Sequence, residues 1–375
     1  MGAWDDIIGQ TEAVELLTDA SQNPQAMTHA WLITGPPGSG RSNLAYAFAK
    51  ALLSRQPGGD EHTDQQVDAR THPDLTSLST SKVIISIDEV RHLVTGASYA
   101  PSVGRYRVLV VEDADRMAER TSNVLLKALE EPPERTVWIL CAPSEADLIP
   151  TIRSRVRSVR LRVPDVTEVA ALLQRRDGVD ADTAERAARH AQNHIGMAHR
   201  LATDETARQR REETLRVALT VRTVSDAVVG AATLLELAGS DASAYTEQRD
   251  AEEREHALRS LGVEPGKPVP PALRAQIRGL EEEQKRRATR SLRDGIDRIL
   301  VDLQSVYRDI ALLQFGIDDT IINRELLPHL RQSAQSSSQA STMATLDAIA
   351  TARHRIEGNV APALALEAML VAAQR

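Results

Sequence analysis

Cysteine is almost absent from this sequence, which contains one, Cys141, among its 375 residues. A single thiol excludes an internal disulfide framework and a zinc finger built from cysteines. It also fits the reducing conditions of the cytoplasm. We therefore predict a cytoplasmic protein without structural disulfides.

Aromatic residues and long apolar runs are scarce too. Phe, Trp and Tyr make up 3% of the chain, and no run approaches the roughly 18 apolar residues of a membrane span. Residues 1–10 include Asp5 and Asp6 and have no apolar core, so they do not have the pattern of a secretory signal. Few aromatics beside many Ala, Leu and Arg residues favour helices over a β-sandwich.

The chain also lacks an excess of basic charge. Its 45 Lys and Arg residues face 53 Asp and Glu residues, which gives a net charge of −8. This balance excludes a global basic field for nucleic acid but leaves room for a local basic surface. With 42% hydrophobic and 26% charged residues, a chain of this length predicts a soluble globular protein of two or three domains.

The first part of the chain alternates short apolar runs with helical patterns. The predicted strands are residues 30–34, 107–111, 136–141 and 156–163, and residues 42–53 form a predicted helix. Such alternation predicts an α/β domain over residues 1–164, with a parallel five-stranded sheet covered on both faces. The polar stretch 54–70 is interpreted as a surface loop.

After residue 164 the strand pattern ends and helical periodicity takes over. We predict a small helical domain over 165–204 and an all-helical domain over 205–375. The predicted helical runs are 166–176, 182–194, 207–237, 272–317, 342–357 and 361–373. Residues 239–271 are interpreted as a flexible insertion and the serine-rich run 333–341 as a loop.

A glycine-rich segment, GPPGSGRS at 35–42, follows a predicted strand and opens a predicted helix. Gly35, Gly38 and Gly40 allow backbone N–H groups to point inward, and the helix adds its positive end, as in a phosphate loop. Ser42 occupies the Ser/Thr position, but Arg41 stands where a lysine is usual, and its planar fork replaces an ammonium poorly. Two interpretations stay open here, a degenerate nucleotide site and a turn without a ligand.

Two acids, Glu112 and Asp113, directly follow the strand 107–111. In this position one carboxylate normally holds Mg²⁺ and the second orients the attacking water, in the order Asp then Glu. The inverted order changes each reach by one methylene, about 1.5 Å, which is enough to misplace a water. The alternative is that the acids only cap a strand-to-helix turn.

Two arginines, Arg153 and Arg155, follow an apolar turn. Taken alone, this pair would be interpreted as a solvated face, and residues 123–133 as an amphipathic helix that Pro132 ends.

Together these segments resemble the bacterial clamp-loader subunits of the AAA+ superfamily. The resemblance runs in order through the first 165 residues and continues at intervals to the C-terminal region. Its segments are GPPGSGRS at 35–42, THPDL at 71–75, SIDEVR at 86–91, VVEDADRM at 110–117, NVLLKALEEPP at 123–133, PTIRSRV at 150–156, GMAHR at 196–200, KRRATR at 285–290, YRD at 307–309 and NVAPALALE at 359–367.

The resemblance implies a subunit of a hetero-pentameric ring that opens the sliding clamp and places it on primer-template DNA. The implied partners are the tau/gamma and delta subunits within the DNA polymerase III holoenzyme, a nucleotidyltransferase complex. Arg155 matches the arginine that one subunit presents to its neighbour's ATP, with Val156 in place of the family's cysteine. Arg200 matches the second sensor arginine, and residues 84–91 are a candidate DNA contact. The all-helical region then corresponds to the family's oligomerising collar, and residues 165–204 to its lid.

Three departures from the family pattern argue against ATP hydrolysis by this chain. Arg41 replaces the lysine, Glu112 and Asp113 are inverted, and the polar sensor after the third strand falls on Ala142, which has no side-chain hydrogen bond to offer. They imply a rigid stator without its own ATPase activity. The alternative is an ATP-hydrolysing tau/gamma-type motor or another AAA+ ATPase, and ATP or ADP with Mg²⁺ at a degenerate site stays open.

A further departure concerns metal. Subunits of this type commonly carry a four-cysteine zinc module in the interval that corresponds to residues 54–70. That interval contains no cysteine here, and His62 and His72 alone do not make a structural site. We therefore predict no zinc.

Overall fold

The computed structural model describes residues 3–56, 60–80, 84–240 and 274–374. The chain divides into two compact units, with the boundary between Thr203 and Asp204. The predicted lid helices belong to the first unit, and the division into three domains stays a prediction. Most of the predicted insertion at 239–271 lies outside the described residues.

A parallel sheet of five strands forms the centre of the first unit, with the strand order β2-β3-β4-β1-β5. This confirms the predicted five-stranded sheet. The strands are β1 (Ala30–Thr34), β2 (Leu75–Leu78), β3 (Arg107–Val111), β4 (Thr136–Ala142) and β5 (Arg157–Arg160). Every residue of β1 and β4 is buried, as expected for inner strands covered on both faces.

Helices cover both faces of this sheet. The helices of the first unit are α1 (Thr11–Gln22), α2 (Arg41–Leu53), α3 (Glu61–Asp68), α4 (Ile87–Ala97), α5 (Glu119–Glu130), α6 (Pro150–Arg153), α7 (Val166–Asp177), α8 (Ala181–His190) and α9 (Ile195–Thr203). On one face Trp31 packs edge-on against Phe48 of α2, with ring centroids 5.4 Å apart. On the other face Trp138 packs in a core that includes Leu125 of α5.

The second unit is all-helical in its described part, which confirms the predicted fold class. Its helices are α10 (Glu205–Thr220), α11 (224–240), α12 (Arg274–Gln314), α13 (Leu327–Ser336), α14 (Gln339–Glu357) and α15 (Pro362–Ala372). They enclose one apolar core. Within the described ranges, no helix has the length and apolar character needed to cross a bilayer.

Three loop and helix predictions were wrong in detail. The supposed loop 54–70 contains α3, because Asp60 accepts a hydrogen bond from the Thr63 N–H at 2.8 Å and Val67 is buried. The predicted long helix 207–237 is broken after Thr220. The serine-rich run 333–341 is almost entirely helical, because Ser338 caps α14 by accepting from the Ser341 N–H at 3.1 Å.

The YRD segment at 307–309 has a structural role in the second unit. Asp309 is fully buried and accepts hydrogen bonds from the Asn323 N–H and Nδ2, both at 2.8 Å. Arg211 of α10 joins the same network, since it donates to Asn323 Oδ1 at 2.7 Å and to Asp302 Oδ1 at 2.9 Å. The network ties the loop before α13 to α10 and α12.

Asp74, in the THPDL segment, fixes the loop that leads into β3. It is fully buried, and its carboxylate accepts from the N–H groups of Ser102, Val103 and Gly104, each at 2.7 Å. Arg107 lies 3.3 Å from the same carboxylate. Burial alone would raise the pKa of Asp74, but the backbone donors from 102–104 prevail and lower it to about 2.

We expect Asp74→Asn to lower the free energy of unfolding by about 2 kcal/mol at pH 7. Because the pKa of Asp74 is lower in the folded than in the unfolded chain, its contribution is complete above about pH 4 and disappears as the pH falls towards 2. Urea unfolding across this pH range measures both effects. Asp68→Asn, which removes a surface ion pair with Lys50, is the control and should cost less than about 1 kcal/mol. Equal losses in the two variants would contradict the role of Asp74.

Candidate functional site

The glycine-rich loop 35–42 joins the carboxyl end of β1 to α2 and lies directly against α9. Gly38 and Gly40 have φ values of 81° and 89°, in the left-handed region that favours glycine. A Cβ on Gly38 would lie 2.3 Å from His194 Cγ and 2.7 Å from His194 Cα. The Ile195 N–H donates to the Gly38 carbonyl at 3.3 Å, so the lid helices close onto the loop.

A cleft of about 330 Å³ lies between this loop and the lid helices. Its lining residues are Gly38, Gly40, Arg41, Ser42, Asn43, Arg176, His194, Ile195, Gly196 and His199. Two guanidinium groups, two imidazoles and the N-terminus of α2 make this cleft chemically suited to an anionic ligand such as a phosphate.

Arg176 and His199 are among the lining residues that the sequence analysis did not propose for the site. Arg176 and His199 both contact Asp177, at 2.8 Å each. Burial opposes ionisation of Asp177, but hydrogen bonds from Arg176 and His199 lower its pKa below the ordinary value. The predicted sensor, Arg200, follows His199 on α9 but is not among the lining residues. The double arginine at 175–176 was the available signal.

The Arg41 side chain folds back onto its own loop. Its guanidinium donates to the carbonyl oxygen of Gly35. Part of its hydrogen-bonding capacity is therefore directed at the loop backbone, whereas a lysine would direct its ammonium at a phosphate. Arg41 still lines the cleft. The loop is therefore compatible with a bound anion but differs from a loop built for hydrolysis.

The two acids that follow β3, Glu112 and Asp113, contact different groups. Glu112 accepts from Ser42 Oγ at 3.0 Å through one carboxylate oxygen and from Tyr46 Oη at 2.6 Å through the other. Burial and the charge of Glu112 raise the pKa of Tyr46, so this hydroxyl keeps its proton. Each oxygen accepts one hydrogen bond and keeps a further lone pair, so these contacts fix the orientation of Glu112 beside Ser42. Asp113 Oδ2 lies 3.8 Å from Arg116.

Arg155 lies at the amino edge of the sheet, where the strands begin. Loop 35–42 lies at the carboxyl edge, where they end. Arg155 precedes β5 by two residues, whereas loop 35–42 follows the last residue of β1, which is parallel to β5. Arg155 Nη1 donates to the Thr151 carbonyl at 2.7 Å, and Nη2 lies 2.5 Å from Glu130 Oε1. The structure therefore places Arg155 outside the cleft of its own chain.

Comparison with known proteins identifies the first unit. Residues 9–165 match a family model described as "DNA polymerase III, delta subunit". DNA polymerase III subunit delta' of Pseudomonas aeruginosa is 37% identical over 134 residues, which cover 34% of this chain and 41% of that protein. DNA polymerase III subunit tau of Bacillus subtilis is 31% identical over 187 residues, 48% of this chain and 32% of that protein.

Residues 9–165 are therefore similar to clamp-loader subunits of DNA polymerase III. The matched part spans less than half of each of these curated relatives. A solved structure of a gamma-subunit-related protein from Thermotoga maritima covers 96% of this chain and 98% of its own, with a TM-score of 0.44 and 18% identity.

In the first unit the position predicted for the polar sensor carries no polar group. Ala142 is buried at the end of β4, in register with Thr34 beside the glycine-rich loop. Its neighbour Cys141 is also buried, 3.9 Å from the Arg41 carbonyl, and burial raises the pKa of its thiol. The thiol is thus protonated and shielded from solvent.

The SIDEVR segment begins α4 of the first unit. The Ser86 hydroxyl accepts from the Glu89 N–H, and the Glu89 carboxylate accepts from the Ser86 N–H, so the two form a capping box. Ile84 before it is exposed. The DNA contact predicted for residues 84–91 stays a prediction, and residues 81–83 lie outside the described part of the chain.

His72, one of the two histidines considered as metal ligands, has a packing role. His72 is buried, and its Nδ1 accepts from the Asp74 N–H at 3.1 Å. In residues 3–56, 60–80, 84–240 and 274–374 no group of three or more His, Cys, Asp or Glu side chains is arranged to hold a metal ion. The predicted absence of zinc stays a prediction.

We expect a comparison of Gly38→Ala with Gly40→Ala to distinguish the free-energy cost of a clash with His194 from the cost of backbone strain. Both residues have similar positive φ values, but a Cβ on Gly40 would meet only Ile195 Cδ1, at 3.5 Å. Gly40→Ala should cost about 1–2 kcal/mol of strain, and Gly38→Ala about 1–3 kcal/mol more, because its Cβ overlaps His194. Urea unfolding measures both, and equal losses would show that His194 yields without cost.

Proposed function

We propose that this chain is a delta'-like stator subunit of the DNA polymerase III clamp loader. In this role it forms a cytoplasmic ring with tau/gamma and delta subunits and helps to load the sliding clamp onto primer-template DNA. The observation that carries the proposal is the position of Arg155. It lies at the amino edge of the sheet, while the chain's own glycine-rich loop lies at the carboxyl edge.

An arginine at the amino edge is better placed to reach the ATP of a neighbouring subunit than the glycine-rich loop of its own chain. β5 has four residues, and a strand rises by about 3.3 Å per residue, so the sheet itself separates Arg155 from loop 35–42. In a ring, the guanidinium of Arg155 would approach the γ-phosphate of an adjacent ATPase subunit. There it would stabilise the negative charge that develops in the transition state.

In this role, a nucleotide held in the cleft of this chain is bound without being hydrolysed. Arg41, Arg176 and the two imidazoles, which line the cleft, would hold the phosphates of ADP or ATP. Glu112 is hydrogen-bonded to Ser42 and Tyr46, and Ala142 has no polar side chain. With the order of Glu112 and Asp113 inverted and Ala142 apolar, the groups that would orient an attacking water are displaced or missing.

A tau/gamma-type motor is the second candidate. The match to the Bacillus subtilis tau subunit is 187 residues long, against 134 for the Pseudomonas aeruginosa delta' subunit. A motor must hydrolyse ATP, and the state of Glu112 and Arg41 argues against this. Turnover by the purified chain discriminates between the two candidates.

We expect the purified chain to hydrolyse no ATP above the rate of a buffer blank, with or without Mg²⁺. Ser42→Ala should change nothing, because a chain that does not turn over ATP has no catalytic step that depends on Ser42. Release of inorganic phosphate is the measurement, with the assembled loader as the positive control. Turnover that Ser42→Ala abolishes would establish the motor and reject the stator.

We expect Arg155→Ala to leave the chain folded and able to assemble, and to slow ATP turnover of the complete loader. An arginine supplied in trans contributes roughly 1,000-fold or more to the rate at the site it serves. Clamp-stimulated ATP turnover of the loader should therefore lose nearly all of the part that the served site contributes. Arg153→Ala, an exposed arginine on α6 two residues earlier, is the matched control. Unchanged turnover in Arg155→Ala would refute the assignment in trans.

A further inference from the structure

Glu130, the last residue of α5, forms an ion pair with Arg155 across the amino edge of the sheet. Oε1 of Glu130 lies 2.5 Å from Nη2 of Arg155. α5 leads towards the start of β4, and Arg155 leads into β5, so chain order alone places both residues at this edge. Both side chains are partly exposed, 47% for Glu130 and 33% for Arg155, and a neighbouring subunit can reach them.

The surroundings of Arg155 engage both terminal nitrogens of its guanidinium. Nη1 donates to the Thr151 carbonyl at 2.7 Å and to Ser154 Oγ at 3.1 Å, while Nη2 faces Glu130. A guanidinium binds a phosphate through the same N–H groups that bind a carboxylate. Glu130 therefore competes with any phosphate for the Nη2 end of Arg155.

We propose that Glu130 is a positioning residue that restrains Arg155 and is exchanged for a neighbour's γ-phosphate when that neighbour binds ATP. The inference rests on the proposed function, because it assumes that Arg155 acts in trans. The Thr151 and Ser154 contacts hold Nη1 by neutral oxygens, so the charged partner at Nη2 is the one to be exchanged. A triphosphate carries more negative charge than one carboxylate and so wins this exchange.

The Glu130–Arg155 ion pair can restrain the arginine only weakly. Exposed ion pairs of this kind shift an equilibrium by no more than about fivefold, which is small beside the contribution of an arginine to phosphoryl transfer. Glu130 thus orders the arginine between turnovers at the expense of a few-fold lower kcat/KM at the neighbouring site. Removal of its charge should recover that factor.

The test uses the complete loader carrying Glu130→Gln, which keeps the shape of the side chain and removes its charge. We expect kcat/KM for ATP to rise about two- to fivefold, and the gain to shrink as ionic strength increases. In an Arg155→Ala background the same substitution should change nothing. Glu131→Gln, the adjacent glutamate, is the matched control and should leave kcat/KM unchanged.

Several results would overturn the proposal. They are an unchanged or lower kcat/KM in Glu130→Gln, an equal gain in the Arg155→Ala background, and an equal gain from Glu131→Gln. Failure of the underlying function gives a different result, since Arg155→Ala alone would then leave turnover of the loader unaffected.

Discussion

The parallel pairing of β1 with β4 on one side and β5 on the other determines where every candidate residue lies. In this register Thr34 is opposite both Ala142 and Arg160, so the carboxyl ends of the strands share one edge. Loop 35–42, Glu112 and the sensor position meet there. Parallel strands also share an amino edge, and Arg155 with Glu130 lies on it. A single hydrogen-bonding pattern thus separates the cleft from the arginine.

At the carboxyl edge, polar groups that a motor would direct at its substrate are bonded to one another. Glu112 accepts from Ser42 and Tyr46, and Arg41 donates to Gly35. A partly buried carboxylate without donors would be costly, so these contacts stabilise the edge in the absence of a ligand.

The features that depend on residues close together in the chain could be predicted from the sequence. The apolar strands, the glycine-rich turn and the all-helical second unit follow from alternation and periodicity, so the sequence was enough for them. Helix α3 was missed because its stability comes from the Asp60 cap and the buried Val67, within a polar stretch that has the composition of a loop. Thr223 and Asp226 cap α11, and this spacing was a signal that the predicted long helix 207–237 overlooked. The contacts of Tyr46 with Glu112, and of Glu130 with Arg155, join residues far apart in the chain, and no local pattern shows them.

The glycines of loop 35–42 illustrate how a sequence pattern can have a structural cause. Gly38 is required because His194 lies where a Cβ would be, and Gly40 because the chain enters α2 with a positive φ. Neither reason involves a nucleotide. A subunit that no longer hydrolyses ATP would still need both glycines to hold its lid helices against the sheet. The glycine pattern therefore identifies the fold of the loop, while Arg41, Glu112 and Ala142 decide its chemistry.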